Sequence, residues 1–187
     1  MSSTELPLSS GSLFSQVEAY TSNNKVPPVE SWNPALSGDM DLIIRRDGTW
    51  IHEGEPILRE SLIALFASIL KREGEEYFLV TPVEKWRITV EDAPFLIQAV
   101  ETAPGINGES FLFKTNVGEP IVLSAEHALW VQTDSLTGEP SPYIAVRRNL
   151  NALISRSVFY ELVDKAVLKG KELVLETDVG GFVLGEV

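Results

Sequence analysis

The sequence contains no cysteine and comparatively few positive charges. Without cysteine the chain has no disulfide, no thiolate ligand for zinc and no cysteine nucleophile. Its 15 lysines and arginines stand against 27 aspartates and glutamates, which gives a net charge of −12. Nucleic acids and anionic membranes are bound through clustered cations. The charge therefore argues against both as partners, and the absence of cysteine fits a reducing compartment.

Long apolar runs are missing as well. No stretch approaches the roughly 20 apolar residues that span a bilayer, and the N-terminus lacks the basic start and apolar core of a secretory signal. We therefore expect a cytoplasmic protein. Apolar residues nevertheless make up 44% of the chain, which favours a packed core over disorder.

Histidine is scarce, and this limits the possible metal chemistry. His52 and His127 are the two histidines, and neither has a partner at the spacing that a three- or four-ligand site requires. The chain also lacks the pattern of a calcium loop and of a glycine-rich phosphate loop before a helix. The sequence thus predicts neither a metal nor a cofactor, and it favours a packed, neutral role for His52.

The chain divides by composition into three parts. Residues 1–39 are rich in Ser, Asn and Pro and form an accessory segment, in which Leu13, Phe14, Val17 and Tyr20 share one face of a short docking helix. Residues 40–100 and 101–187 are predicted as a first and a second α+β unit. Alternating apolar residues between turn signals predict strands over residues 41–44, 49–52, 77–81, 86–90, 95–100, 110–114, 121–124, 128–133, 143–146, 173–177 and 182–184.

Two stretches have the periodicity of helices. Residues 60–73 place apolar side chains on one stripe and end before Gly74, and residues 149–168 are a second helical stretch with a break near Ser155. The order hairpin, helix, hairpin thus occurs twice. Residues 58–66 align with 146–154 at an offset of 88, and residues 74–88 align with 170–184 at an offset of 96. We therefore predict a duplication, although two ordinary amphipathic patterns would also give such matches.

Polar residues concentrate in one hairpin that follows the first helix. Thr81, Glu84 and Lys85 lie at its tip, and Asp92 follows the next strand. Carboxylates and a lysine at strand ends suit an acid–base pair or an anion site. The alternative is an ordinary solvated turn, because loops are polar by default.

Arg59 and Arg147 occupy equivalent positions of the predicted repeat, where a strand passes into a helix. Helix N-termini attract anions, and arginine binds carboxylates and phosphates through its fork of donors. We therefore predict both as candidate anion-binding residues. The alternative is a structural arginine that pairs with an acidic neighbour such as Glu84 or Asp92.

Several motifs together resemble a bacterial family known only as domain of unknown function 1285. These motifs are DGTWIH (residues 47–52), PILR (56–59), LVTPVEK (79–85) and VEDAPF (90–95). The resemblance runs from about Trp32 to the C-terminus. It implies two structurally related α+β units and a suggested role in signalling or regulation, with no established reaction and no assigned catalytic residues.

The predicted fold is α+β, with two repeated units of antiparallel strands with a helix each, plus the N-terminal accessory segment. The sequence shows no nucleophile–base set, metal cluster or nucleotide loop. This favours a non-enzymatic binding or regulatory module whose partner is a protein or a small molecule. The alternative is a small hydrolase-like enzyme that uses His52 and carboxylates assembled by the fold.

Overall fold

The structure, a computed structural model, describes residues 26–187. The chain divides into two compact units. Among the described residues, the first comprises residues 26–44 together with Thr49–Val90, and the second comprises Arg45–Gly48 together with Glu91–Val187. The docking helix predicted over residues 13–20 lies outside the described residues.

The first unit is a six-stranded sheet with one helix. In chain order its elements are β1 (Gly38–Ile44), β2 (Trp50–His52), β3 (Glu55–Pro56), α1 (Glu60–Ser68), β4 (Leu70–Glu73), β5 (Glu76–Val80) and β6 (Lys85–Val90). The strand order is β3-β2-β1-β6-β5-β4. The central pair, β1 and β6, is parallel, and the other neighbours are antiparallel. Two antiparallel meanders are therefore joined along their first and last strands.

The second unit has a six-stranded sheet, a helix and a smaller sheet. Its elements are β7 (Phe95–Pro104), β8 (Glu109–Thr115), β9 (Pro120–Val122), β10 (Leu129–Thr133), β11 (Pro140–Arg147), β12 (Leu150–Ile154), α2 (Arg156–Lys165), β13 (Val167–Lys169), β14 (Glu172–Thr177) and β15 (Gly180–Glu186). The six-stranded sheet has the order β9-β8-β7-β12-β11-β10, with β7 and β12 parallel. Strand for strand, this is the order of the first sheet. Strands β13–β15 form a separate antiparallel sheet.

A repeated tetrapeptide lies at the same place in both sheets. Residues 54–57 and 118–121 both read Gly-Glu-Pro-Ile, at the turn from the second strand of a sheet into the third. The two glycines have φ values of +83° and +87°, a left-handed conformation that glycine adopts without the strain of a Cβ. This tetrapeptide repeat therefore coincides with the repeat of sheet topology, and the two-unit α+β fold is confirmed.

The predicted alignment of the repeat is wrong in its first part. Arg59 precedes α1, whereas Arg147 ends strand β11, and β12 occupies residues 150–154 where a helix was predicted. Leu65 and Leu153 are both 8% exposed, but one lies in a helix and the other in a strand. The cause is that β12 lies beside β7 in the middle of a sheet, so its apolar run reads like a buried helix segment.

The offset of 96 extends further than predicted. It maps the first residue of α1, Glu60, onto the first residue of α2, Arg156, and it maps the β4–β5 turn onto the β13–β14 turn. Gly74 and Gly170 have φ values of +60° and +66° in these turns. Gly74 is thus a hairpin turn rather than a helix stop. Helix α1 ends at Ser68 because the following residues pair with β5, with Leu70 opposite Leu79.

The remaining predictions fit the structure in part. All eleven predicted strands correspond to observed strands, with ends that differ by a few residues. The sheets, however, were predicted as antiparallel, and each six-stranded sheet contains one parallel pair. No helix among residues 26–187 is long and apolar enough to cross a membrane.

Candidate functional site

The predicted hairpin tip is a tight turn closed by Thr81. The Thr81 side chain is fully buried, and its Oγ1 accepts hydrogen bonds from the N–H groups of Val83 (3.3 Å) and Glu84 (3.0 Å). The Thr81 N–H donates to the Glu84 carbonyl oxygen at 2.9 Å. Thr177, which the offset of 96 aligns with Thr81, accepts the same bond from Val179 N–H at 3.2 Å. Thr81 therefore shapes the turn.

Lys85 belongs to an ion-pair network on the first sheet. Its Nζ lies 2.5 Å from Glu73 Oε2 and 4.3 Å from the centre of the Phe78 ring. Lys71 Nζ lies 3.4 Å from the other oxygen of Glu73 and donates to the Trp32 carbonyl oxygen at 3.0 Å. The hydrogen bond from Lys85 lowers the pKa of Glu73 below its ordinary value. The charge of Lys85 is thus used within the protein.

Arg59 and Arg147 lie in different surroundings. Arg59 is the exposed residue just before α1, and its Nε donates to Ser61 Oγ at 3.1 Å. Arg147 is largely buried: its Nη1 lies 3.5 Å from Glu119 Oε2, and its guanidinium carbon lies 5.3 Å from the centre of the Phe95 ring. Burial lowers the pKa of Arg147. The structure therefore gives the two arginines different environments, not equivalent ones.

Asp92 joins a polar cluster in the second unit. Its Oδ1 accepts a hydrogen bond from Tyr143 Oη at 2.8 Å, and its Oδ2 lies 3.3 Å from Arg46 Nε. Burial, together with this bond to Asp92, raises the pKa of Tyr143 to about 12. The Tyr143 ring stacks on Trp130 with ring centres 5.7 Å apart. Thr81, Glu84 and Lys85 therefore share one turn in the first unit, while Asp92 and Arg147 belong to the second.

Arg46 lies beside a cavity of about 650 Å³ in the second unit. The cavity walls come from the segment 46–47, from β7, from the start of β11 and from the junction of β12 with α2. The lining residues are Arg46, Asp47, Leu96, Glu139, Pro140, Pro142, Leu153, Ile154, Ser155, Arg156, Phe159 and Tyr160. The volume and the mainly apolar walls are typical of small-molecule sites.

Asn116 fixes the segment that carries Arg46. Its Oδ1 accepts the Leu96 N–H at 3.0 Å, and its Nδ2 donates to the Gly48 carbonyl oxygen at 3.2 Å. Gly48 has a φ of +88°, and a Cβ there would lie 3.0 Å from Asn116 Nδ2. This position thus favours glycine for both its conformation and its space. The turn signal Asp47-Gly48 in the sequence therefore serves to place Arg46 beside the cavity.

The polar groups of the cavity are two arginines, two carboxylates, a serine and a tyrosine. Arg156 Nη2 lies 2.6 Å from Glu139 Oε1, and both side chains are exposed. Ser155, which precedes α2 without a side-chain capping bond, and Arg156, the first residue of the helix, both line the cavity, so the start of α2 with its partial positive charge lies at its wall. Tyr160 is 58% exposed. The arrangement suits a ligand that is apolar over most of its surface and polar at one end.

A second concavity of about 850 Å³ lies in the same unit along β10, β15 and α2. Its walls include Trp130, Phe159, Val163 and Phe182, and Glu186 is the one charged residue that lines it. Of these two concavities in the described part of the chain, the one beside Arg46 is lined by several charged groups that would orient a ligand. We therefore take that cavity as the candidate site.

Other features of catalysis or metal binding are sparse in the described part of the chain. No group of three or more His, Asp and Glu residues there is placed to hold a metal ion. Two carboxyl groups have shifted pKa values: that of Asp134 is lowered by backbone N–H groups of Thr137 and Leu136, and that of Glu73 by Lys85. Both shifts favour the charged form, which is opposite to the shift of a general acid.

The sequence analysis named Asp92, which pairs with Arg46, but it predicted none of the residues that line the cavity as site residues. Arg46 was not singled out, and the start of α2 was predicted as a break in a helix near Ser155. The available signal was the pair Arg45-Arg46 directly before Asp47-Gly48, because two cations in a tight turn are unusual in so acidic a chain.

These features define a protein of two α+β units, and comparison with known proteins gives its family. Residues 27–93 match the domain of unknown function DUF1285, N-terminal domain, and residues 94–183 match the DUF1285 C-terminal domain. The chain belongs to the DUF1285 family. The resemblance seen in the sequence is thereby confirmed.

Two crystal structures of DUF1285 family proteins are similar to this chain. One, from Silicibacter pomeroyi DSS-3, is 41% identical, with a TM-score of 0.84 over 94% of this chain and 95% of that one. The other, from Shewanella baltica OS155, is 30% identical, with a TM-score of 0.53 over 67% of this chain and 91% of that one. No curated protein shows significant similarity to the sequence.

Proposed function

We propose that this protein is a non-enzymatic binding module with a regulatory role in the cytoplasm, and that it binds a small molecule in the cavity beside Arg46. The single observation that carries the proposal is the cavity itself, with its 650 Å³ volume, apolar walls and two arginines. Small-molecule sites combine a concave apolar surface with a few polar groups that fix orientation. The net charge of −12 supports neither nucleic acid nor an anionic membrane as the partner.

The hydrolase alternative draws less support from the same region. Ser155 and Tyr160 supply the hydroxyl groups in the cavity lining, and Ser155 Oγ lies 3.3 Å from Ser157 Oγ. Neither His52 nor His127 lines the cavity, and His127 Nδ1 lies 3.0 Å from the Ala145 carbonyl oxygen. A nucleophile activated by a neighbouring base is the usual requirement for covalent hydrolysis. The binding module is therefore the function that the geometry supports best.

Blocking the cavity tests this proposal. Leu96 lines the cavity, so Leu96→Trp places an indole in the space for a ligand; Ile106→Trp adds the same side chain at a position 96% exposed. Ligand-observed NMR with a panel of small aromatic and aliphatic compounds is expected to give binders that Leu96→Trp loses and Ile106→Trp keeps. Thermal melting of both variants checks that they fold. Binders that both variants retain would place the ligand site elsewhere.

A further inference from the structure

From the contacts of Arg46 we infer that the cavity binds an amphipathic molecule with a single carboxylate, and that Arg46 binds this carboxylate. The inference rests on the proposed function, because it names the class of ligand for the same cavity. It depends on how Arg46 is held and on which of its donors are used within the protein.

Three contacts hold Arg46 in place. Its backbone N–H donates to Glu91 Oε2 at 3.0 Å, its Nη2 donates to Ser141 Oγ at 2.9 Å, and its Nε lies 3.3 Å from Asp92 Oδ2. A side chain restrained in this way loses less conformational entropy when a ligand binds. Arg46 is thus arranged for binding before any ligand arrives.

One nitrogen of the guanidinium is not used by the described residues. Arg46 Nη1 has no hydrogen-bond or ion-pair partner among residues 26–187, and the side chain is 58% exposed. Asp92, which takes up part of the charge of Arg46, is itself bound by Tyr143 Oη at 2.8 Å and is only 19% exposed. The remaining donors of Arg46 therefore lack an acceptor among the described residues and are open to one from a ligand.

The charges of the lining favour a ligand with one negative charge. Arg46 and Arg156 are balanced by Asp47 and Glu139, so the lining as a whole is neutral. The two carboxylates repel a dianion such as a phosphate monoester more strongly than a monoanion, and a single carboxylate suffices for a charge-assisted hydrogen bond with Arg46. The apolar body of the ligand then packs against Leu96, Leu153 and Phe159.

Two probes that differ in one group test the inference. Hydrocinnamate carries a phenyl group, a short chain and a carboxylate, and hydrocinnamamide replaces the carboxylate with a neutral amide. Isothermal titration calorimetry is expected to show that hydrocinnamate binds about tenfold more tightly, as one charge-assisted hydrogen bond implies. Raising the salt concentration from about 0.05 to about 0.5 M should weaken the binding of hydrocinnamate and leave the binding of hydrocinnamamide unchanged.

A pair of neighbouring arginines supplies the matched variants. Arg46→Gln should remove the tenfold advantage of hydrocinnamate, while Arg45→Gln, which changes an exposed arginine outside the lining, should keep it. If Arg46→Gln does not fold, the comparison of the two probes and their salt dependence in the unmodified protein still test the carboxylate assignment. Equal binding of the two probes, or equal affinities in the two variants, overturns the carboxylate assignment and leaves the cavity proposal standing. No binding of either probe overturns this inference, and the cavity proposal is then judged by the Leu96→Trp screen.

Discussion

Tyr143 donates its phenolic hydrogen bond to Asp92 Oδ1 over 2.8 Å, across 51 positions of the sequence. The bond ties strand β11 to the segment before β7, next to the ion pair between Asp92 and Arg46. It therefore links a buried part of the second unit to the arginine that lines the candidate cavity. The ultraviolet absorbance of Tyr143 also reports on this region.

The titration of Tyr143 is the first prediction. Burial and Asp92 raise its pKa to about 12, so its phenolate should form about two pH units later than that of an ordinary tyrosine. The ultraviolet absorbance of the unmodified protein is measured against pH, and subtraction of the same titration of Tyr143→Phe isolates the contribution of Tyr143. Asp92→Asn should move the transition to lower pH, because the carboxylate no longer opposes the phenolate. If Tyr143 titrated near pH 10 in both the unmodified protein and Asp92→Asn, the described environment of Tyr143 would be contradicted.

The same shift predicts how stability depends on alkaline pH. The pKa of Tyr143 is higher in the folded protein than its unfolded value of about 10, so the stability it contributes is complete below pH 10 and is lost as the pH rises toward 12. Denaturant unfolding should therefore show a difference between the unmodified protein and Tyr143→Phe that declines over this range. A constant difference would mean that Tyr143 does not titrate in this way.

The stability that Glu73 contributes should depend on pH in the opposite direction, with its loss at acidic pH. Its pKa is lowered in the folded state, chiefly by the hydrogen bond from Lys85, so the stability from this group is present above its unfolded pKa and is lost as the pH falls through the folded value. Glu73→Gln should reduce the free energy of unfolding by about 1 kcal/mol at neutral pH. The reduction should disappear in acid. Glu75→Gln, at a side chain 95% exposed, is the matched control.

The repeated tetrapeptide predicts matched costs in the two sheets. Gly54→Ala and Gly118→Ala each place a Cβ at a positive φ with no atom within 4 Å, so strain of the backbone alone should destabilise each variant by about 1 kcal/mol. Gly185→Ala has open space without a positive φ and should be close to neutral. Unequal effects at residues 54 and 118, measured by denaturant unfolding, would argue against equivalent turns.

The helix face of the first unit gives a further test. Leu65 in α1 is 8% exposed, and Leu58 just before the helix is 87% exposed. Leu65→Ala should reduce the free energy of unfolding by about 2–5 kcal/mol, and Leu58→Ala by less than about 0.5 kcal/mol. Thermal or denaturant unfolding measures both. Similar small losses at the two positions would mean that α1 does not pack as described.

Local patterns in the sequence were sufficient for the strands and turns but not for their arrangement. Asp47-Gly48 marks a turn by its chemistry alone, and strands such as β5 and β6 show the expected composition. The apolar run of β12 has no such mark, because a strand buried in the middle of a sheet lacks alternation. The helix predicted through residues 149–154 was wrong for that reason.

None of the predicted site residues lines the candidate cavity, and the reason is related. Arg46 and Ser141 are hydrogen-bonded across 95 positions of the sequence. No local period connects two such residues, and only the folded chain brings them into contact. Lys85 illustrates the converse: its position in a polar turn suggested a free cation, but Glu73, twelve positions earlier, binds it.

Mapping of a ligand on the protein tests the central claim most directly. In the amide proton–nitrogen correlation spectrum, addition of hydrocinnamate should shift the signals of residues around the cavity, with the largest changes at Leu96, Ser155, Arg156 and Phe159. The signals of the first unit should stay in place. Largest changes along β10 and β15 at the second concavity, or in the first unit, would contradict a ligand site beside Arg46.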